Sequence, residues 1–297
     1  MLKRLFLALS ILAVWGCPLA AGLQVVATSP SMGALVREIA GPGVHLTVLA
    51  PPDRDMHSLQ AKPSMIHALR GADLVVALGA ELEVGWLPLA IASSTNARLQ
   101  PGQTGYFEAA AQVDLLDRGA AADRALGDVH PVGNPHLDLD PVRTARVGRA
   151  LAERLGQLDP ASATQYRRRA ETFAAEVDRR VRLWAQRLKG APGVVLYHRD
   201  AVYLLDRFGI PLLGLIETVP GVPPTAAHLK ELTAGLAGQR GVLLYASYQS
   251  STEPEALARQ LGWPVQGLPL EPPMDADGEG YLRHIERWVA AIAAGQR

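Results

Sequence analysis

The feature that most constrains the fold is a stretch of about 30 residues near the middle of the chain, whose length alone sets it apart from an ordinary globular helix. After Pro160 the stretch contains no proline or glycine until Gly190. Its apolar residues recur at steps of three, four and seven: Tyr166, Phe173, Val177, Val181 and Trp184. That spacing indicates one face of an α-helix, which at 1.5 Å per residue would be about 45 Å long. We therefore predict a rigid connecting helix, within residues 159–190, between two lobes.

Short strand-like runs alternate with helical runs on both sides of this connector. The strand-like runs cover 23–30, 44–49 and 72–78 before it, and 194–197, 210–216, 241–245 and 265–270 after it. Such alternation predicts parallel βα units. We therefore predict an α/β fold of two doubly wound βα lobes, 23–158 and 191–297, joined by a single long backbone helix.

The charge balance and the cysteine content exclude several classes of function. Lys and Arg together number 29, as do Asp and Glu, so the chain lacks the basic excess typical of nucleic-acid binding. Cys17 is the only cysteine, which excludes an internal disulfide and a thiolate-rich metal site.

The first 22 residues have the pattern of a signal peptide. Lys3 and Arg4 precede an apolar run, 5–15, that is too short to span a bilayer, and small residues at 20–22 are suited to cleavage. We predict that residues 1–22 are removed and that the protein resides in the periplasm. A lipoprotein anchored through Cys17 is the alternative, although Trp15 is bulky where a lipobox has a small residue.

Three histidines stand where ligands of an α/β protein are expected. His57 and His136 lie in loops, and His198 directly follows the apolar run 194–197. Ligands of open α/β sheets bind at the carboxyl ends of the strands, where loops converge. The loop around His136 is stiffened by Gly133, Pro135 and Pro141, which lowers the entropic cost of holding a ligand.

We do not predict the remaining histidines to be principal metal ligands. We expect four of them to be surface residues: His45, His67, His228 and His284. His130 is close enough to His136 in the sequence to be an outer-sphere partner or an alternative ligand, although loop packing is the favoured role.

Four short motifs occur in a fixed order, with the long helix between the second and the third. They are Asp55-Met56-His57 followed by Pro63-Ser64; Gly133-Asn134-Pro135-His136 with Asp140-Pro141; Tyr197-His198-Arg199-Asp200-Ala201 with Tyr203-Leu204; and Pro220-Gly221-Val222-Pro223-Pro224 followed by His228-Leu229. In this order the motifs resemble the metal-specific solute-binding proteins of ABC importers, the zinc- and manganese-binding cluster with a rigid interlobe helix. The first motif departs from the family's usual form, which has Pro where Met56 stands.

The resemblance implies a metal site in the cleft between the lobes. His57, His136 and His198 would be ligands. The family usually adds an aspartate after the last strand, and the corresponding candidates here are Glu271 first and Asp275 second, with a water as a further alternative. Three neutral imidazoles with one oxygen suit Zn²⁺, whereas manganese-selective relatives typically carry a carboxylate in the third position. We therefore expect Zn²⁺ as the transported ligand, with a manganese- or iron-specific binding protein of the same family as the alternative.

The function implied by the resemblance is capture of the metal and its delivery to an ABC importer permease, not catalysis. We expect a monomer that does not span the membrane. A secreted zinc hydrolase also needs three histidines, but the sequence has no His-Glu-x-x-His motif and no glutamate evidently placed as a general base. A metal-dependent adhesin or a metallochaperone with the same fold is a further alternative function.

Overall fold

A computed structural model describes residues 22–119, 130–219 and 221–296. Residues 1–21, with Cys17 and all but the last residue of the predicted signal sequence, lie outside the described part of the chain, as does Pro220. The structure contains two four-stranded parallel sheets flanked by helices. In the ranges described, no helix is long and apolar enough to cross a membrane.

The first sheet belongs to the N-terminal lobe. Its strands are β1 (Leu23–Ala27), β2 (Val44–Val48), β3 (Leu74–Ala77) and β4 (Tyr106–Glu108), and their order is β2-β1-β3-β4. The helices of this half are α1 (Pro30–Ala40), α2 (Pro63–Arg70), α3 (Leu87–Ser94) and α4 (Pro141–Leu158). Strand β2 lies on one side of β1 and β3 lies on the other side. The order of the strands therefore reverses between β1 and β3, and their carboxyl ends form a topological switch point.

The second sheet has the same arrangement. Its strands are β5 (Gly193–Leu196), β6 (Leu212–Leu215), β7 (Gly241–Ala246) and β8 (Val265–Leu268), in the order β6-β5-β7-β8. The helices are α6 (Val202–Phe208), α7 (Ala226–Leu236), α8 (Thr252–Leu261) and α9 (Gly278–Ala294). Both lobes therefore present a switch point, and the predicted fold of two βα lobes is confirmed.

The connecting helix α5 (Ala163–Arg187) has 25 residues and is about 37 Å long at 1.5 Å per residue. It is shorter than predicted because residues Pro160–Ser162 form a separate 3₁₀ turn and the chain turns again after Arg187. Helix α5 packs on α4 and α1 of the first half and on α9 of the second. One hydrophobic core accordingly includes residues of both lobes and of α5.

Several helices begin at side chains that cap their first turn. Ser29 accepts a hydrogen bond from the backbone of Met32, Asp140 from that of Val142, and Asp277 from that of Gly280. These caps satisfy backbone donors that have no partner inside the helix. The caps at Ser29 and Asp140 also fix where the chain leaves two loops that face the cleft.

Two of the four histidines expected at the surface, His45 and His67, are exposed. His228 is partly buried, and its Nε2–H donates to the Leu215 carbonyl at 2.8 Å. The prediction for His284 was wrong, because this side chain lies on the inner face of α9 and is only 2% exposed. Its ring donates from Nε2 to the Leu270 carbonyl at 3.0 Å, which makes burial of the neutral form possible.

Candidate metal centre

The structure brings His57, His136 and His198 together, although 141 positions separate the first from the last. One ring nitrogen of each lies within 4.8 Å of the others, and the ring centroids are 5.2–5.8 Å apart. His57 comes from the loop after β2, His136 from the loop before α4, and His198 from the carboxyl end of β5. The cluster therefore lies between the lobes, with two histidines from the first lobe and one from the second.

Hydrogen bonds fix the ring of His57, its backbone N–H and the peptide before it. Asp55 accepts from its Nδ1–H at 2.7 Å and from its backbone N–H at 2.9 Å. The fully buried indole of Trp86 donates to the carbonyl of Met56 at 3.0 Å, which fixes the preceding peptide. With Nδ1–H engaged, the neutral ring presents the lone pair of Nε2 to the cluster.

His198 has the same kind of support from another part of the chain. Its Nδ1–H donates to Glu217 at 3.0 Å, and Glu217 follows β6, the strand next to β5. This bond also selects the tautomer whose Nε2 faces the cluster. Burial disfavours the charged ring, but the carboxylates of Asp200 and Glu217 outweigh burial and raise the pKa of His198.

The loop that carries His136 is bonded to the opposite lobe through Asn134. The Asn134 side-chain oxygen accepts from the His136 backbone at 2.9 Å, its amide donates to the Arg199 carbonyl at 3.0 Å, and its own carbonyl accepts from the Tyr203 hydroxyl at 2.6 Å. This explains why the motif contains Asn at this position: an amide both donates and accepts. His136 and His198 are thereby held in register across the cleft.

The electrostatic environment keeps His136 neutral. Its side chain is 4% exposed, and burial together with the neighbouring rings of His57, His198 and His130 holds its pKa well below 6.5. A metal ion needs neutral imidazoles, so His136 is ready to bind without losing a proton. The three rings and their convergent nitrogens fit a four-coordinate Zn²⁺ site that lacks thiolates.

The two predicted carboxylate ligands lie in different surroundings. Glu271 is 5% exposed and lines the same small cavity as His57 and His136. Its Oε2 accepts from the backbone of Ser31 at the start of α1 at 2.8 Å, and burial beside Asp138 raises its pKa well above 4.5. Asp275 is exposed and lines a separate surface depression with Arg283 and Arg287.

Two residues near the cluster received little or no weight from the sequence alone. His130 places its Nε2 3.0 Å from the Nε2 of His57, so it lies directly at the cluster. Asp200 is 2% exposed, with Oδ1 3.8 Å from the Nε2 of His136. Only its proximity to His136 in the sequence indicated that His130 could lie near the site. For Asp200, the only such indication was its position two residues after His198.

Comparison with known proteins identifies the family. The match to the family described as zinc-uptake complex component A, periplasmic, extends over residues 25–295. The chain belongs to the ZnuA family. The resemblance to the metal-specific solute-binding proteins of ABC importers is thereby confirmed.

The chain is similar in sequence to a zinc uptake protein and in fold to several solved structures. The high-affinity zinc uptake system protein ZnuA of Yersinia pestis is 24% identical over 272 residues, which cover 84% of this chain and 82% of the relative. A crystal structure of ZnuA has a TM-score of 0.76 at 23% identity and covers 91% of this chain and 99% of its own. FpvC from Pseudomonas aeruginosa in complex with Mn²⁺ has a TM-score of 0.77 at 25% identity, with 92% and 98% covered.

Proposed function

We propose that this protein captures Zn²⁺ in the periplasm through His57, His136 and His198 and delivers it to the permease of an ABC importer. The observation that carries the proposal is the convergence of three ring nitrogens, from both lobes, within 4.8 Å of one another. Family membership supports the transport role. The metal is cargo, so the protein binds and releases it without chemical turnover.

The carboxylates of Asp55 and Glu217, which contact the histidines on the side away from the metal position, support zinc capture in two ways. Asp55 and Glu217 each accept the Nδ1–H of one ligand histidine, which orients the ring and makes the opposite nitrogen a better donor. Their negative charges also offset part of the charge of the dication in a cluster with little exposed surface. A site of three imidazoles favours Zn²⁺ over Mn²⁺, which prefers oxygen ligands.

Bound metal would join the two lobes through one set of bonds. His57 and His136 belong to the first lobe and His198 to the second, so occupancy is coupled to the loops at the cleft. Helix α5 and the shared core oppose a wide hinge motion. We infer that loop ordering at the cleft distinguishes the loaded protein from the empty one for the permease.

Zinc binding to the purified mature protein, residues 23–297, tests this function by competition with a chelator. We expect one zinc per chain, and we expect His136→Ala to weaken binding at least tenfold. His67→Ala is the matched control, because His67 is exposed on α2. Unchanged affinity in His136→Ala would refute the assigned site, and a wild-type preference for Mn²⁺ would favour the alternative cargo.

Import and location are tested in cells. A deletion strain should grow poorly in chelator-treated medium and recover with zinc, whereas recovery with manganese alone contradicts the proposed cargo. Mass spectrometry of the exported protein should give an N-terminus at Leu23, and retention of a lipid-modified Cys17 would contradict cleavage there. Light scattering of the purified protein should give the mass of a monomer.

A further inference from the structure

Two buried polar atoms face each other beside the histidine cluster. Asp200 Oδ1 and His136 Nε2 are both buried and have no hydrogen-bond partner in the ranges that the structure describes. The two atoms are 3.8 Å apart. This distance is too long for a direct hydrogen bond. A buried polar atom without a partner is unfavourable, so the arrangement points to a missing ligand between the two atoms.

The separation of the two atoms is close to that of two ligands on one metal ion. Ligand atoms at 2.0–2.1 Å from Zn²⁺ in tetrahedral geometry are about 3.4 Å apart. Asp200 and His136 therefore need to approach each other by only about 0.4 Å to share an ion.

The position of Asp200 in the chain makes it suited to this role. It lies two residues after His198, in the 3₁₀ turn Arg199–Ala201 that leads into α6. Its Oδ2 accepts a hydrogen bond from the side chain of Gln249 at 3.1 Å, which orients the carboxylate and leaves Oδ1 toward His136. One turn at the carboxyl end of β5 thus presents both an imidazole and a carboxylate.

Glu271, the carboxylate that the sequence favoured, is already engaged elsewhere. Its Oε2 accepts the backbone N–H of Ser31, the second residue of α1, and links the end of the second sheet to the first lobe. The carboxyl group of Glu271 also forms a hydrogen bond with the side chain of Asp138, so coordination by Glu271 would compete with contacts that it already makes. Asp200 loses no hydrogen bond of Oδ1 when it binds a metal.

We propose that Asp200 Oδ1 is the fourth ligand of the metal held by His57, His136 and His198. The inference rests on the metal capture proposed above. It assigns Glu271 a different role, as an interlobe hydrogen-bond acceptor. A three-imidazole, one-carboxylate site also brings one negative charge into direct contact with the dication.

Zinc affinity of three proteins tests the assignment: the wild type, Asp200→Asn and Glu271→Gln, with each variant preserving the shape of the side chain. Asp200→Asn should weaken Zn²⁺ binding at least tenfold, and Glu271→Gln less than threefold. Asp200→Asn should also shift the visible absorption bands of bound Co²⁺, which report the ligand set, whereas Glu271→Gln should leave them in place. A larger loss in Glu271→Gln, or zinc affinity and Co²⁺ bands of Asp200→Asn equal to those of the wild type, overturns the proposal.

Stability of the metal-free proteins separates a ligand from a structural residue. Asp200→Asn replaces a buried carboxyl oxygen that has no hydrogen-bond partner, so the melting temperature of the metal-free variant should be equal to or above that of the wild type, while the rise on adding zinc shrinks. A lower melting temperature without metal would assign Asp200 a structural role and overturn the proposal. Should Asp200→Asn not fold, a crystal structure of the zinc-loaded wild type decides: a Zn–Oδ1 distance near 2.0 Å supports the assignment, and one above 3 Å overturns it.

The same experiments distinguish this inference from the function on which it rests. If His136→Ala loses zinc binding but Asp200→Asn does not, only the assignment of the fourth ligand is wrong. When the wild type itself fails to bind zinc, the proposed function is wrong.

Discussion

The buried histidine of α9 should make the stability of this protein depend on pH. Protonating His284 would place a second N–H at Nδ1, which is buried and has no hydrogen-bond acceptor in the described ranges. Burial therefore lowers the pKa of His284 from 6.5 to about 4; the bond from Nε2–H to Leu270 opposes this shift, and the charge of Arg287 adds to it. The folded protein consequently holds this ring neutral at pH values where an unfolded chain would protonate it.

The size of the effect follows from proton linkage. Between pH 6.5 and 4 the unfolded chain binds a proton that the folded chain does not, so the free energy of unfolding falls as the pH falls. The whole interval corresponds to about 3.4 kcal/mol at 1.36 kcal/mol per pH unit. At pH 5 about 2 kcal/mol of stability has been lost relative to pH 8.

Urea unfolding of the metal-free protein at pH 8 and pH 5 measures this loss. The informative variant is His284→Gln, because glutamine can still donate to the Leu270 carbonyl but does not titrate. The wild type should lose about 2 kcal/mol more than His284→Gln over this interval. His67→Gln, altered at an exposed site, should lose as much as the wild type. Equal losses in the wild type and in His284→Gln would refute the reasoning.

Three further outcomes are expected at or near the cleft. Asp55→Asn and Glu217→Gln should each weaken zinc binding about 10–100-fold, measured by chelator competition, because each removes the acceptor that orients a histidine of the proposed metal site; unchanged affinity in both contradicts the role proposed for the two carboxylates. Zinc at 100 times its Kd should raise the free energy of unfolding by about 2.7 kcal/mol, and His136→Ala should abolish this gain at the same zinc concentration; an equal gain in the variant contradicts binding at the cluster. Asp140→Ala should cost about 3–5 kcal/mol in urea unfolding because the carboxylate, fully buried, caps α4 and pairs with two arginines; a cost below about 1 kcal/mol would contradict a structural role for the pair.

The sequence predicted those features that depend on local patterns. Apolar runs located the strands of both sheets except β4, and the helical spacing of Phe173, Val177 and Trp184 located α5. The three histidines were identified because each lies in a motif or at a strand end. Strand β4 was missed because its three residues are too few to give a periodic signal.

Features that depend on contacts distant in sequence could not be predicted. The contact of His57 with His130 joins residues 73 positions apart, and the bond of Glu271 to Ser31 joins residues 240 apart. Its strand-end position, the proline after it and the aspartate usual in the family made Glu271 the first candidate ligand, whereas its bond to Ser31 depends on where α1 of the other lobe begins. His284 was expected at the surface because a lone histidine gives no sign of which helix face is buried.

The hydrophobic core to which both lobes contribute has a consequence for how the protein folds. Tyr281 and Trp288 of α9, the last helix of the second lobe, belong to the same core as the strands of the first sheet and as α5. Synthesis proceeds from the N-terminus, so this core stays incomplete until α9 has been made. We expect the first lobe to reach its native packing only when α9 is present, so the two lobes should complete their folding together rather than one after the other.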